Sequence, residues 1–253
     1  MKFNKKKMIG IVGGMGPYAG IDLVKKIFDL TNASSDQDYI PVAMISTPHL
    51  IEDRTKYLTG HSKNNPGIAI AEIVNKLVSQ GASIIGMPCN TAHAPPIFDK
   101  IKKVITNDIV FVHMIEEVVQ YIKNQHPDII NVGLLATAGT INTKIYENEL
   151  YKKGITPVLL SDLEQKKYVD SSIYDSKFGI KSFSNPVKEK AKQKLGKAIQ
   201  SLINMGSQTI IMGCTEIPIA IKESFFNSVP LIDSTMILAR AILHRINIDK
   251  KID

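Results

Sequence analysis

The chain contains only two cysteines, and each closes an apolar run of the kind that makes a buried parallel strand. In ASIIGMPCNTAHA (82–94) the run 84–87 ends in Pro88-Cys89-Asn90-Thr91, and in QTIIMGCTEIP (208–218) it ends in Gly213-Cys214-Thr215-Glu216. Cys214 follows Cys89 by 125 positions (214 minus 89), Gly133 follows Gly10 by 123, and Ile232 follows Val112 by 120. A shared order of landmarks through both halves points to an internal duplication.

Between these landmarks the pattern alternates. Strands are expected at 8–12, 41–45, 84–87, 109–112, 130–136, 156–160, 208–212 and 229–232. Helices are expected at 19–32, 66–80, 115–124, 141–153, 186–205, from about 216 to 226, and at 235–246. On the first helix Ile21, Val24, Ile27, Phe28 and Thr31 carry the apolar spacing. Residues 47–65 read as a polar loop, 163–174 as a polar helical stretch, and 175–185 as a second loop. Strands alternating with helices make an α/β fold: two pseudo-symmetric Rossmann-like lobes with parallel sheets and right-handed crossovers. Ligands bind such sheets at the carboxyl ends of the strands, so the expected site is a cleft between the lobes with one thiol on each wall.

At 253 residues the chain is long enough to bury a substantial core. The net charge of +7 is spread along helix faces, as at Lys188, Lys190, Lys192 and Lys194, so a solvated basic surface is expected and no nucleic-acid partner. No run of about 18 apolar residues occurs, so no membrane partner is expected. The apolar run after the basic start, 1–7, is too short for a signal-peptide core. The expected location is cytoplasmic, where both cysteines stay free thiols. Two cysteines without metal-ligand spacing argue against a metal site.

A cysteine at the start of a helix faces the positive end of the helix dipole, which stabilises a thiolate and lowers the thiol's pKa. The plain alternative, that Cys89 and Cys214 are small buried hydrophobes, explains either one alone better than it explains the matched pair. Two opposed thiols suit proton transfer at carbon: one sulfur removes a proton from one face while the other delivers a proton to the opposite face. Such a reaction requires no cofactor but needs donors that stabilise the carbanion-like transition state. Asn90, Thr91, Thr137 and Thr215, all at strand ends, are candidates to bind the adjacent carboxylate.

GIVGGMGP (10–17), EDRT (52–55), MPCNTAHA (87–94), LLATAGT (134–140) and GCTEIP (213–218) resemble the motifs of the PLP-independent aspartate racemase family, in the family's order along almost the whole chain. The resemblance implies an amino-acid racemase acting on aspartate without a cofactor, with Cys89 and Cys214 as the catalytic pair, commonly as a homodimer. It implies that the final helix returns to the first lobe, which divides the chain into 1–111 plus 229–253, carrying Cys89, and 112–228, carrying Cys214. Asn90, Thr91 and the neighbouring backbone, with Thr215, would hold the α-carboxylate and amino group. Within the same motifs Met15, Ala92 and Glu216 join the substrate-binding set. Arg54 matches the family's arginine for the substrate's distal carboxylate, a task suited to a guanidinium fork. Lys181 is the best match to the family's second basic residue. Residues 173–181 carry a small insertion, however, and Ser182-Phe183 departs from the family's pattern, so Lys177 competes for that role.

Other readings compete. Residues 14–19 match GxGxxA, yet the next strand ends in Ser46-Thr47 and lacks the acid that a dinucleotide's ribose requires. A thiol redox protein would use both cysteines, but there is no resolving-cysteine motif. Glutamate, broad-specificity and hydantoin racemases, and a one-cysteine decarboxylase, share the superfamily. Both cysteines disfavour the decarboxylase, and Arg54 favours an acidic substrate over hydantoin.

Overall fold

The computed structural model describes residues 7–246. In the first sheet, β1 (Met8–Gly13) pairs in parallel with β2 (Val42–Ser46) on one side and β3 (Ala82–Gly86) on the other, and β3 pairs with β4 (Val110–Val112). In the second, β5 (Asn131–Leu135) lies between β6 (Thr156–Val158) and β7 (Thr209–Met212), and β9 (Val229–Asp233) pairs with β7. A short antiparallel strand, β8 (Phe225–Phe226), closes that edge. The orders β2-β1-β3-β4 and β6-β5-β7-β9 correspond strand for strand, so the repeated landmarks occupy equivalent places in two parallel sheets.

Helices cover both faces of each sheet, and successive strand residues enter opposite layers. Ile85 packs under α3 (Pro66–Ser79) and α4 (Pro95–Lys102), while Ile84 faces α1 (Pro17–Asp29) and α12 (Ser234–Ile246). In the second lobe Ile211 joins α5 (Met114–Gln125) and α7 (Ile145–Lys152), and Ile210 joins α10 (Glu189–Asn204). Burying a side chain of this size is worth about 1.5–3 kcal/mol, so these near-continuous apolar strands drive the three-layer packing.

The domain boundaries shift. Val112 still pairs with Gly86 in the first sheet, and 229–233, expected in the first lobe, form β9 in the second. Strand β9 pairs there because it completes the second copy of the four-strand order. The return to the first lobe is α12 alone, which packs on α1, β3 and β4 and seats Ile242 so close to Gly86 that a Cβ there would lie 2.5 Å from it. Residues 1–6 and 247–253 of the expected lobe lie outside the described residues.

Helix α1 buries Ala19, Gly20, Leu23, Lys26 and Ile27, leaving Ile21 and Phe28 exposed. Gly20 permits its close approach to the sheet, since a Cβ there would lie 2.9 Å from Met44 Sδ, and Lys26 is buried because Asp22 and Asp233 pair with it. The expected helix 141–153 is split into α6 (Ala138–Asn142) and α7 by Lys144 in the left-handed region. The helix expected to about 226 is only α11 (Ile217–Ala220). The polar loop 47–65 contains α2 (Arg54–Leu58), capped by the Asp53 carboxylate, which accepts from the Lys56 N–H at 2.9 Å. The polar helical stretch forms as α8 (Asp162–Glu164), a π-helical segment (Gln165–Asp170) and α9 (Ser171–Tyr174).

Candidate active site

Strand β3 delivers Cys89 three residues past its end, where it caps a single 3₁₀ turn, Asn90–His93; strand β7 delivers Cys214 two residues past its own end. Both thiols are free and buried, and they line one tight cleft with a cavity volume of about 20 Å³. Met15, Arg54, Asn90, Thr91, Thr137, Lys181, Thr215 and Glu216 line it with them. Ala92 does not: it is fully buried in the first-lobe core, because the 3₁₀ turn points its methyl away from the cleft. Lys177 is exposed and outside the lining, its N–H held by the Asp175 carboxylate. Of the two competing lysines, the structure brings Lys181 to the cleft. It also places Asp53, Thr55 and Tyr174 there, three lining residues absent from the expected set.

The two thiols have opposite surroundings. The Cys214 Sγ–H donates to the Glu216 carboxylate at 3.0 Å, and Thr215 Oγ1 donates to the same oxygen at 3.3 Å. Burial, and then that carboxylate, push the Cys214 thiol well above its ordinary range. The lowering expected from a helix start does not occur at Cys214, because desolvation and a neighbouring anion both favour the neutral thiol. Beside Cys89 the neighbour is a cation, Arg54. Burial works to lower the Arg54 pKa, but the Cys89 sulfur and the carboxylates of Asp53 and Glu216 more than offset it, and the net shift is upward. Arg54 is buried; its Nη1 donates to the Glu52 carbonyl at 3.2 Å, and its Nε has no protein partner. A buried guanidinium N–H without an acceptor is costly in a closed site, and a ligand carboxylate would satisfy it.

Side chains cross the cleft at several points. Tyr146 O–H donates to Asn90 Oδ1 at 2.6 Å, Asn90 Nδ2 donates to Ser234 Oγ at 3.3 Å, and Ser234 donates to the Met212 carbonyl at 2.9 Å. The Asn90 carbonyl is thereby engaged, which leaves one amide N–H for a ligand. Thr91 and Thr140 hydroxyls meet at 2.9 Å, and Thr55 meets Tyr174 at 3.1 Å. Near that contact a Cβ at Gly139 would collide with Thr55, so glycine permits the approach of α2 to α6. At the mouth Lys181 pairs with Asp53 at 3.6 Å and lies over the Tyr174 ring. Burial alone would raise the Asp53 pKa; the Lys56 N–H, Lys181 and Arg54 outweigh it and hold it low. Outside this neck an outer chamber with a cavity volume of about 260 Å³ opens, reaching Gly14, Tyr18 and Ser184 and sharing Asp53, Arg54, Lys181 and Glu216 with the inner cleft.

Asp53 and Thr55 sit inside the EDRT motif and were within reach of a sequence reading; Tyr174 carries no local signal, since its partner lies 119 positions away.

Fold and cleft together define a two-lobed α/β protein with one buried thiol from each lobe lining a common cleft. Residues 12–242 match the family described as Asp/Glu/Hydantoin racemase, and the chain belongs to that family. It is 28% identical over 239 residues to the broad specificity amino-acid racemase RacX of Bacillus subtilis (strain 168), covering 92% of this chain and 96% of the relative. Among solved structures it resembles Picrophilus torridus aspartate racemase, with a TM-score of 0.75 and 28% identity over 95% of this chain and 94% of that one. The glutamate racemase of Francisella tularensis subsp. tularensis SCHU S4, solved with D-glutamate, shares the fold at a TM-score of 0.67 and 20% identity, over 96% and 82% of the two chains. Among the described residues no cluster of ligating side chains suits a metal ion, and no helix is long and apolar enough to cross a membrane.

Proposed function

We propose that this protein interconverts L- and D-aspartate by proton transfer between the substrate's α-carbon and two thiols, without a cofactor. The observation that supports it most is the pairing of Cys89 beside the Arg54 guanidinium with Cys214 against the Glu216 carboxylate in one cleft. Burial and the Glu216 carboxylate keep the proton on Cys214, while the Arg54 guanidinium beside the Cys89 sulfur would stabilise negative charge that forms there. A Cys89 thiolate removes the α-proton from one face, and the Cys214 Sγ–H delivers its proton to the other. The turnover leaves a Cys89 thiol and a Cys214 thiolate, and the opposite enantiomer is processed by the same steps reversed. The free amide N–H of Asn90, with Thr91, Thr137 and Thr215, binds the α-carboxylate and spreads the developing charge. The unpartnered Arg54 Nε, supported by Lys181, takes the distal carboxylate.

Proton NMR of L-aspartate in D₂O with the purified protein tests this. Loss of the α-proton signal with formation of D-aspartate supports it; persistence of the signal in aspartate and in every other amino acid tried sinks it. A second reading, a broader amino-acid racemase, is favoured by one feature: Asp53 and Glu216 set two acids against the two cations of the neck. The resemblance to RacX over nearly the full chain points the same way. Comparable exchange of neutral L-amino acids in the same assay would select that reading.

A further inference from the structure

One buried titratable group takes no part in the chemistry proposed so far. His93 closes the 3₁₀ turn that Cys89 begins, and it is 2% exposed. Its Nδ1 lies 2.9 Å from the Cys89 carbonyl oxygen, and its Nε2 lies 3.3 Å from the Met114 backbone nitrogen. A carbonyl only accepts and a backbone N–H only donates, so these contacts define one protonation state. Nδ1 carries the proton, Nε2 carries the lone pair, and the ring is neutral. The same carbonyl also accepts from the Ala92 N–H at 3.2 Å, so the peptide joining Cys89 to Asn90 is held by two donors. Met114 is the first residue of α5, whose inner face enters the second-lobe core. One imidazole therefore links the carbonyl of the first-lobe thiol residue to the start of the helix that crosses between the lobes.

We propose that His93 is a positioning residue for Cys89: its neutral ring, bonded to the Cys89 carbonyl and the Met114 N–H, sets where the thiol stands in the cleft. The inference deepens the racemase reading and rests on it for its kinetic arm only. The pocket that encloses the ring keeps it neutral. Phe98 stacks on it with centroids 5.6 Å apart, Phe111 lies at 6.1 Å, and His113 meets it edge-on at 4.6 Å. Burial, and then His113, hold His93 well below the usual imidazole range. Burial likewise lowers His113, against Glu116 at 3.6 Å and Glu149, with Lys102 adding to the lowering. A proton on Nε2 would set N–H against the Met114 N–H and break the link.

Three substitutions separate the two bonds. Asn places an amide N–H near the Nδ1 position, Gln places an acceptor near Nε2, and Phe keeps the ring and loses both. Two readouts apply to each folded variant: kcat and KM for α-proton exchange, and the alkylation rate of each cysteine by iodoacetamide across pH, resolved by peptide mass spectrometry. Misplacing a reacting group by ~1 Å costs on the order of 100-fold in rate, so His93→Phe and His93→Gln should lose about that in kcat at unchanged KM. His93→Asn should retain most of it. The Cys89 alkylation profile should change in the Phe and Gln variants, return in Asn, and leave Cys214 unmoved. A folded His93→Phe protein with native kcat and a native Cys89 profile overturns the proposal. Should the Phe variant not fold, identical kcat and Cys89 profiles for Asn and Gln overturn it instead. If the native protein exchanges no amino acid, the racemase reading fails alone, and the alkylation profiles still decide the role of His93.

Discussion

Cys89 and Cys214 sit at equivalent places in equivalent strands, yet one faces a guanidinium and the other a carboxylate. The duplicated topology supplies two reactive positions that point across one cleft. Neighbours that the duplication does not share, Arg54 beside Cys89 and Glu216 beside Cys214, give the two sulfurs opposite electrostatic surroundings. Symmetry of fold thus coexists with asymmetry of charge around the two sulfurs, which is what the proposed acid and base require of two identical side chains.

The strongest way to break the comparison is to remove either sulfur. Cys89→Ala and Cys214→Ala should each lower racemisation by about 10²–10⁴-fold, the range a positioned acid or base contributes. Each variant should keep some solvent-deuterium exchange with one enantiomer only, read by chiral chromatography with mass detection. Full racemisation surviving in either variant excludes the two-thiol scheme.

Next comes Arg54. Arg54→Gln removes the cation from the Cys89 side and should cost about 1.5–3 kcal/mol in kcat/KM for an acidic amino acid, the worth of a hydrogen bond to a charged group. Exchange of a neutral amino acid should fall less, and equal losses for both would remove Arg54 from distal-carboxylate recognition.

Glu216→Gln sharpens the other wall. The carboxylate contributes to raising the Cys214 thiol, so its removal should move Cys214 alkylation to lower pH while the Cys89 profile stays in place. A Cys214 profile that does not move would leave burial as the sole cause.

Acid reveals a further asymmetry, since the histidine pair, His93 buried and His113 partly buried, lies only behind Cys89. His93 and His113 both sit below 6.5 in the folded chain. Unfolded imidazoles bind protons near pH 6.5 while the folded ones resist, so stability present above about pH 6.5 is lost as pH falls below it. The thermal midpoint should drop between pH 7.5 and 5.5, and His93→Phe should flatten that drop.

The smallest effect belongs to the neck. Lys181 and Asp53 are partly exposed, and pairs of this kind are worth about 0–1 kcal/mol, so Asp53→Asn should change stability by no more than that. Its larger consequence should be in selectivity: with Lys181 released from its partner, preference should move toward acidic amino acids.

Much of this was legible before any fold was in hand. Short apolar runs, the glycine and proline punctuation around them, and the equal spacing of two cysteine-bearing motifs are local signals, and local backbone preference is what a linear sequence records directly. They yielded two parallel sheets, a cleft at the strand ends, and Cys89, Asn90, Thr91, Thr137, Cys214 and Thr215, while the family resemblance implied Met15, Arg54, Lys181 and Glu216; all ten line the cleft. The Ala92 side chain stays outside the lining because the 3₁₀ turn that follows Cys89 buries its methyl in the first-lobe core. Helix 141–153 broke at Lys144, which has none of glycine's tolerance for the left-handed region, so nothing in the residue announced the break.

By itself, then, the sequence determined the strand–helix alternation, the twofold repeat, and the thiol, guanidinium and hydroxyl groups available for chemistry. Only the tertiary structure decided which groups meet. Asn90 reaches Ser234 across 144 positions and Tyr146 across 56, Tyr174 reaches Thr55, and β9 joins the second sheet while α12 crosses to the first. Contacts of that kind depend on how whole layers pack against one another. The charge state of each thiol depends on them in turn, because burial and the nearest ion, not the cysteine itself, determine whether the proton stays.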